Sequence, residues 1–65
     1  MIIYVNEKQV EVDEQTTVAA LLEQLGFPDR GIAVAMDFAV LPRSGWATKL
    51  SDGARLEVLT AVQGG

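Results

Sequence analysis

Apolar and polar positions along the chain fall into short runs whose period changes from segment to segment. Ile2, Ile3, Tyr4 and Val5 form a run rich in strand-forming side chains, Asn6-Glu7-Lys8 interrupts it with turn chemistry, and Gln9-Val10-Glu11-Val12 alternates polar with apolar. This pattern predicts an N-terminal hairpin. From Val18 the period lengthens, and Val18, Leu21, Leu22 and Leu25 fall at i, i+3, i+4 and i+7 as one apolar stripe of a helix. Thr16 or Thr17 supplies its N-cap, Gly26 its end, and Pro28 a stop just beyond. After Asp29-Arg30-Gly31, the run Ile32-Ala33-Val34-Ala35-Met36 is almost wholly apolar. Its period fits a strand or a turn of buried helix, and its brevity with the flanking Gly31 favours the strand. Ala39-Val40-Leu41 reads as a shorter strand stopped by Pro42, and the stretch through Trp46 and Ala47 as a loop or short 3₁₀ turn carrying a buried indole. Asp52-Gly53 is turn chemistry. Residues 55–62 alternate again, with Leu56, Val58 and Val62 on one side of a final strand.

The element order is ββαβββ, an α+β arrangement in which one helix packs across a single mixed sheet. With the last strand beside the first, this is the ubiquitin-like β-grasp fold. A ferredoxin-like fold needs a second helix, and the pattern contains none. Sixty-five residues, 49% of them hydrophobic, suffice for one domain over 1–62 followed by a flexible tail at 63–65. A chain of this size buries only about 60% of the surface its unfolded form exposes, which leaves few side chains for a catalytic pocket.

Composition narrows the chemistry further. There is no cysteine, hence no disulfide, thiolate metal site or thiol nucleophile, and no histidine, the usual general base near neutral pH. A self-contained enzyme is not expected, and neither is a resident metal. Glu7, Glu11, Asp13 and Glu14 cluster in the hairpin region, but without histidine or paired spacing they read as a solvated face. A net charge of −4 with five scattered Lys and Arg argues against nucleic acid. It is compatible with a basic docking partner and equally with simple solubility. The N-terminus lacks the basic start and long apolar stretch of a signal peptide, and no apolar run is long enough to span a bilayer. A cytoplasmic protein, monomeric when alone and without membrane contact, is the expectation.

The remaining chemistry sits at Gln63-Gly64-Gly65. Two residues without a Cβ can thread a narrow channel in a partner and present a terminal carboxylate without obstruction. A carboxylate is a poor electrophile, but adenylation with ATP and Mg²⁺ by a partner converts it to a mixed anhydride open to a persulfide or thiol. Two terminal glycines arise by chance in about one chain in two hundred, so the tail gains weight only with the strand order, the small size and the missing Cys and His.

The segments Val40-Leu41-Pro42-Arg43-Ser44-Gly45-Trp46 and Leu56-Glu57-Val58-Leu59-Thr60-Ala61-Val62-Gln63-Gly64-Gly65 resemble the ThiS family, the sulfur carriers of thiamin biosynthesis. Thr17-Val18-Ala19-Ala20-Leu21-Leu22 is similar to that family's helix, and the resemblance covers the whole chain. Asp37 stands where the family often has Asn, and Ala54 where an Asp is usual, which leaves turn details open. The resemblance implies that Gly65, delivered by Gly64, is adenylated by a ThiF-like enzyme using ATP and Mg²⁺, with no cofactor bound to the carrier itself. It further implies conversion to a thiocarboxylate with sulfur drawn from cysteine through a cysteine desulfurase, and presentation to a ThiG-like thiazole synthase. The small subunit of molybdopterin synthase is a neighbouring alternative, though it usually has a Pro-rich segment where Thr60-Ala61-Val62-Gln63 stands here. An isopeptide-forming ubiquitin-like modifier and a β-grasp binding module with incidental glycines are the others.

Strand parity locates a docking surface. If Ile3, Val5, Leu56, Val58 and Val62 face the helix, then Ile2, Tyr4, Leu59 and Ala61 face away from it, with Ala33 and Ala35 nearby on the adjacent strand. An apolar outer face at the base of the tail reads as a protein–protein site. Scattered surface hydrophobes are the bland alternative, and a one-residue slip in register would turn the patch into core.

Overall fold

The computed structural model describes residues 1–60. Its elements are β1 (Ile2–Val5), β2 (Lys8–Glu11), α1 (Val18–Gln24), β3 (Ile32–Met36), β4 (Ala39–Leu41), a 3₁₀ turn (Arg43–Gly45) and β5 (Arg55–Thr60). The strands form one sheet in the order β2-β1-β5-β3-β4. β5 runs parallel to β1 and antiparallel to β3, and each outer strand is the hairpin partner of its inner neighbour. The ββαβββ order and the pairing of last strand with first are those the sequence pattern leads one to expect. Ile32–Met36, open between strand and helix by periodicity, is a strand because β5 and β4 pair with it on both sides.

Both hairpins close through two-residue loops. Val5 pairs with Lys8 around Asn6-Glu7, and Met36 with Ala39 around Asp37-Phe38. All four loop residues have positive φ, at 50° and 69° in the first and 51° and 71° in the second. Positive φ at both central positions is the type I′ geometry, whose twist matches that of the flanking strands. Asn and Asp tolerate this region because their short polar side chains bond locally, whereas Glu7 and Phe38 hold it at a cost of about 1–2 kcal/mol each.

The helix is short, and its ends are capped by a side chain, by a distant segment and by the chain that follows it. At the N-terminus the Val18 N–H donates to the Thr48 carbonyl (3.1 Å) and the Ala19 N–H to the Trp46 carbonyl (2.9 Å). The Ala20 N–H donates to Thr17 Oγ1 (3.1 Å), so Thr17 is the N-cap. At the C-terminus the N–H of Phe27 reaches the Leu22 carbonyl (2.9 Å) and that of Gly26 the Glu23 carbonyl (3.1 Å), with Gly26 at φ 83°. This pair of bonds is a Schellman motif, and its left-handed residue is the glycine marked by the sequence.

The core lies between α1 and one sheet face. Val18, Leu21 and Leu22 meet Ile3, Val5, Val34, Leu56 and Val58, while Val12, Trp46, Leu50 and Ala54 close the margins from the connecting segments. Leu25, the last member of the expected stripe, falls on the C-cap and is 39% exposed. Trp46 is buried behind the 3₁₀ turn, as the sequence anticipates. The Arg43 guanidinium lies 5.0 Å from the Trp46 ring centre and donates to the Asp29 carbonyl. Ala54 is buried, and the Asp37 turn is ordered by its own carboxylate, which accepts the Arg55 N–H (3.1 Å).

The strain at Glu7 yields a stability prediction. Glu7→Gly removes the Cβ from a left-handed position at the cost of extra unfolded-state freedom, for a net gain of about 0.5 kcal/mol and a rise in Tm of about 2–4 °C. Thermal unfolding followed by circular dichroism measures it.

Candidate functional site at the end of the last strand

β5 occupies the centre of the sheet and carries the chain toward its C-terminus. The last described residue, Thr60, is still paired, opposite Ile32. The residues assigned to terminal chemistry, Gly64 and Gly65, lie outside the described residues, as do Ala61 and Val62.

The register fixes which β5 side chains face where. Leu56 (0% exposed) and Val58 are buried under the helix together with Ile3 and Val5, while Arg55, Glu57 and Leu59 alternate onto the opposite face. Leu59 is 70% exposed and lies across from Ala33. With Gly31, Ile32 and Thr60 these two line a shallow groove of about 300 Å³ at the exit of β5. Ile2 and Tyr4 also lie on the outer face, half-buried.

The structure does not bring these residues into one patch. Tyr4 pairs with Arg55, and Ile2 lies level with Gly53, whose N–H donates to its carbonyl (2.7 Å). Six residue steps from Gly53 to Leu59, roughly 20 Å at the rise of a strand, therefore separate Ile2 from Leu59. The Arg55 guanidinium covers Tyr4 at 5.4 Å and sits 5.9 Å from the Phe38 ring, and Glu57 follows opposite Ala35. The face thus has an apolar exit end at Leu59 and Ala33, a charged middle, and an aromatic entrance end where Arg55 is held between two rings.

Phe38 and Val40, each 83% exposed, belong to this outer surface and were not singled out from the sequence. Val40 is opposite Ala35 in the register, so strand parity extended to β4 would have found it. Phe38 lies in a turn, where parity is silent. Asn6 also went unrecognised beyond its turn: its amide Nδ2 donates to the Val58 carbonyl (3.1 Å) and its Oδ1 accepts the Val58 N–H (2.8 Å).

Among the described residues no group of three or more His, Cys, Asp or Glu is placed to hold a metal, and Glu7, Glu11, Asp13 and Glu14 are all exposed. No helix among them is long and apolar enough to cross a membrane. A cavity of about 210 Å³ lies on the helix side, between Leu22, Phe27, Arg43 and Trp46, away from the exit of β5.

The sequence pattern of the ThiS family matches residues 2–65. The chain belongs to the ThiS family. The ThiS fold is matched as well: a crystal structure of the thiamine biosynthesis protein ThiS from Geobacter metallireducens superposes with a TM-score of 0.80 at 30% identity, covering all of both chains. A solution structure of a thiamine biosynthesis protein from the same organism gives 0.78 at 28% identity, over all of this chain and 88% of that one. A thiazole synthase of Paramagnetospirillum magneticum is 32% identical over 66 residues, and this chain spans about one fifth (20%) of its length. The resemblance carried by the 40–46 and 56–65 segments thus holds at the level of the family and of the ThiS β-grasp fold.

Parity can be tested directly. Leu59→Asp should leave the far-ultraviolet spectrum and Tm nearly unchanged, because the side chain is exposed. Leu56→Asp, which buries an unpaired carboxylate, should unfold the domain. Equal loss of structure in both would show that the outer face is not free.

Proposed function

We propose that this chain is a sulfur carrier of thiamin biosynthesis in which the domain at 1–62 presents the 63–65 tail, and that it performs no catalysis itself. The family match over residues 2–65, which includes Gly64 and Gly65, is the observation that carries this reading. A carboxylate oxygen of Gly65 attacks the α-phosphorus of ATP on a ThiF-like partner and expels pyrophosphate, with Mg²⁺ held by that partner and its nucleotide. A persulfide sulfur, derived from cysteine through a desulfurase, then attacks the acyl carbon and AMP leaves, forming an acyl disulfide. A thiol attacks the distal sulfur, so that the S–S bond breaks to give a new disulfide and a C-terminal thiocarboxylate. The absence of Cys and His from the sequence fits this division of labour, since nucleophile and base come from the partners.

A ThiG-like thiazole synthase is the proposed acceptor. The support is that a segment amounting to one fifth of a thiazole synthase aligns with the whole of this chain, which places carrier-like and synthase sequence in one polypeptide of that organism. Docking is proposed on the outer sheet face, centred on Leu59 and Ala33 beside the end of the described strand, with Tyr4 and Ile2 at the opposite end of that face and outside this centre; Ala61 lies outside the described residues. Leu59→Asp should weaken binding to the adenylating enzyme and to the acceptor together, since both grip the same tail from the same side.

The direct experiment is incubation with a ThiF-like enzyme, ATP, Mg²⁺ and a sulfur donor, followed by intact mass measurement. One oxygen should be exchanged for sulfur, and the change should map to the C-terminal peptide. A change mapping elsewhere, or none with a cognate enzyme, overturns the reading. Gly64→Val should block the exchange by crowding the partner's channel while leaving Tm unchanged.

A further inference from the structure

β5 leaves the sheet with unequal support on its two flanks. On one side β3 accompanies it to Thr60. On the other, β1 ends at Val5, which pairs with Leu56, and the chain turns away through Asn6-Glu7. The backbone of Val58 would be left without a strand partner on that flank. Asn6 fills the gap. Its main-chain N–H donates to the Leu56 carbonyl (2.9 Å), and its carboxamide then donates to the Val58 carbonyl and accepts the Val58 N–H. The side chain thereby reproduces the donor and acceptor of a peptide group, one step beyond the end of β1. Only a carboxamide of this length meets both groups of Val58, and only a residue tolerant of positive φ can stand where Asn6 stands, at 50°. The companion turn shows the contrast: Asp37, at the same place in the β3–β4 loop, accepts a single N–H, from Arg55 at the entrance of β5.

We infer that Asn6 is a positioning residue that fixes the course of β5 through Leu59 and Thr60, and so the base from which the C-terminal carboxylate is presented to a partner. Val58 is two residues before the last described one, and on the β1 flank Asn6 makes the last described hold on the strand. Losing it frees one edge of the exit while the buried face under α1 stays packed. The consequence for adenylation rests on the carrier reading: a misdirected tail enters the partner's channel less often but reacts normally once seated, which raises KM and leaves kcat alone.

The test compares Asn6→Gly, which keeps the turn and loses both side-chain bonds, with Asn6→Asp, which keeps an acceptor for the Val58 N–H. Val12→Ala serves as a core variant of comparable Tm loss. Amide exchange at Val58 should quicken about tenfold in Asn6→Gly and by less in Asn6→Asp, which keeps the acceptor for the Val58 N–H but sets a carboxylate oxygen against the Val58 carbonyl. Residual dipolar couplings of Leu59 and Thr60 should change in Asn6→Gly and not in Val12→Ala. With a ThiF-like enzyme, the KM for the carrier should rise about tenfold in Asn6→Gly at unchanged kcat, and stay at the parent value in Val12→Ala. Unaltered exchange and couplings in Asn6→Gly, or a KM no higher than that of Val12→Ala, overturn the inference. If the parent protein is not adenylated at all, the carrier reading falls, and exchange and couplings still decide what Asn6 does.

Discussion

The pairing of β5 between β1 and β3 is the interaction on which the rest of this small structure depends. Without β5 the sheet separates into two hairpins, β1–β2 and β3–β4, and an isolated two-stranded hairpin is at best marginal in water. With it, Leu56 and Val58 complete the apolar floor on which α1 rests, and the segment at 46–50 is drawn under the helix N-terminus. The pairing joins residues far apart in sequence, such as Tyr4 and Arg55, so forming it carries a loop-closure cost that the two hairpins do not. A chain with so little core has no independent subdomain to fall back on.

Much of this was legible from side-chain period alone. Alternation in the first and last strands sorted Ile3, Val5, Leu56 and Val58 inward, and a single helical stripe named Val18, Leu21 and Leu22. Turn chemistry was equally open where glycine or a cap residue stated it, as at Thr17, Gly26 and Asp52-Gly53. The type I′ geometry of both hairpins was less visible, because Glu7 and Phe38 occupy positions where glycine is the usual signal and tertiary pairing of the strands overrides the local preference.

The surface was harder to read than the core. Parity says which face a residue is on but not where along the strand its neighbours lie, so Ile2 and Leu59 were grouped although the parallel register sets them far apart. The offset depends on where β1 meets β5, a long-range fact with no local trace. Asn6 illustrates the same limit in another way. A turn residue with an amide side chain is ordinary in sequence, and only the folded register brings its carboxamide against Val58.

The placement of β5 also has a mechanical side. A pull on the chain beyond Thr60 acts along the axis of β5, and the ladders to β1 and β3 run parallel to that axis on both flanks. Force is then shared by both ladders at once, in shear, instead of breaking bonds one at a time as in a strand peeled from an edge. Had the C-terminus issued from β4 or β2, the same tug would unzip the domain from its rim. The proposed carrier role asks that the end of the chain be handed to a partner, and the strand leading to that end is the central one of the sheet, paired on both flanks.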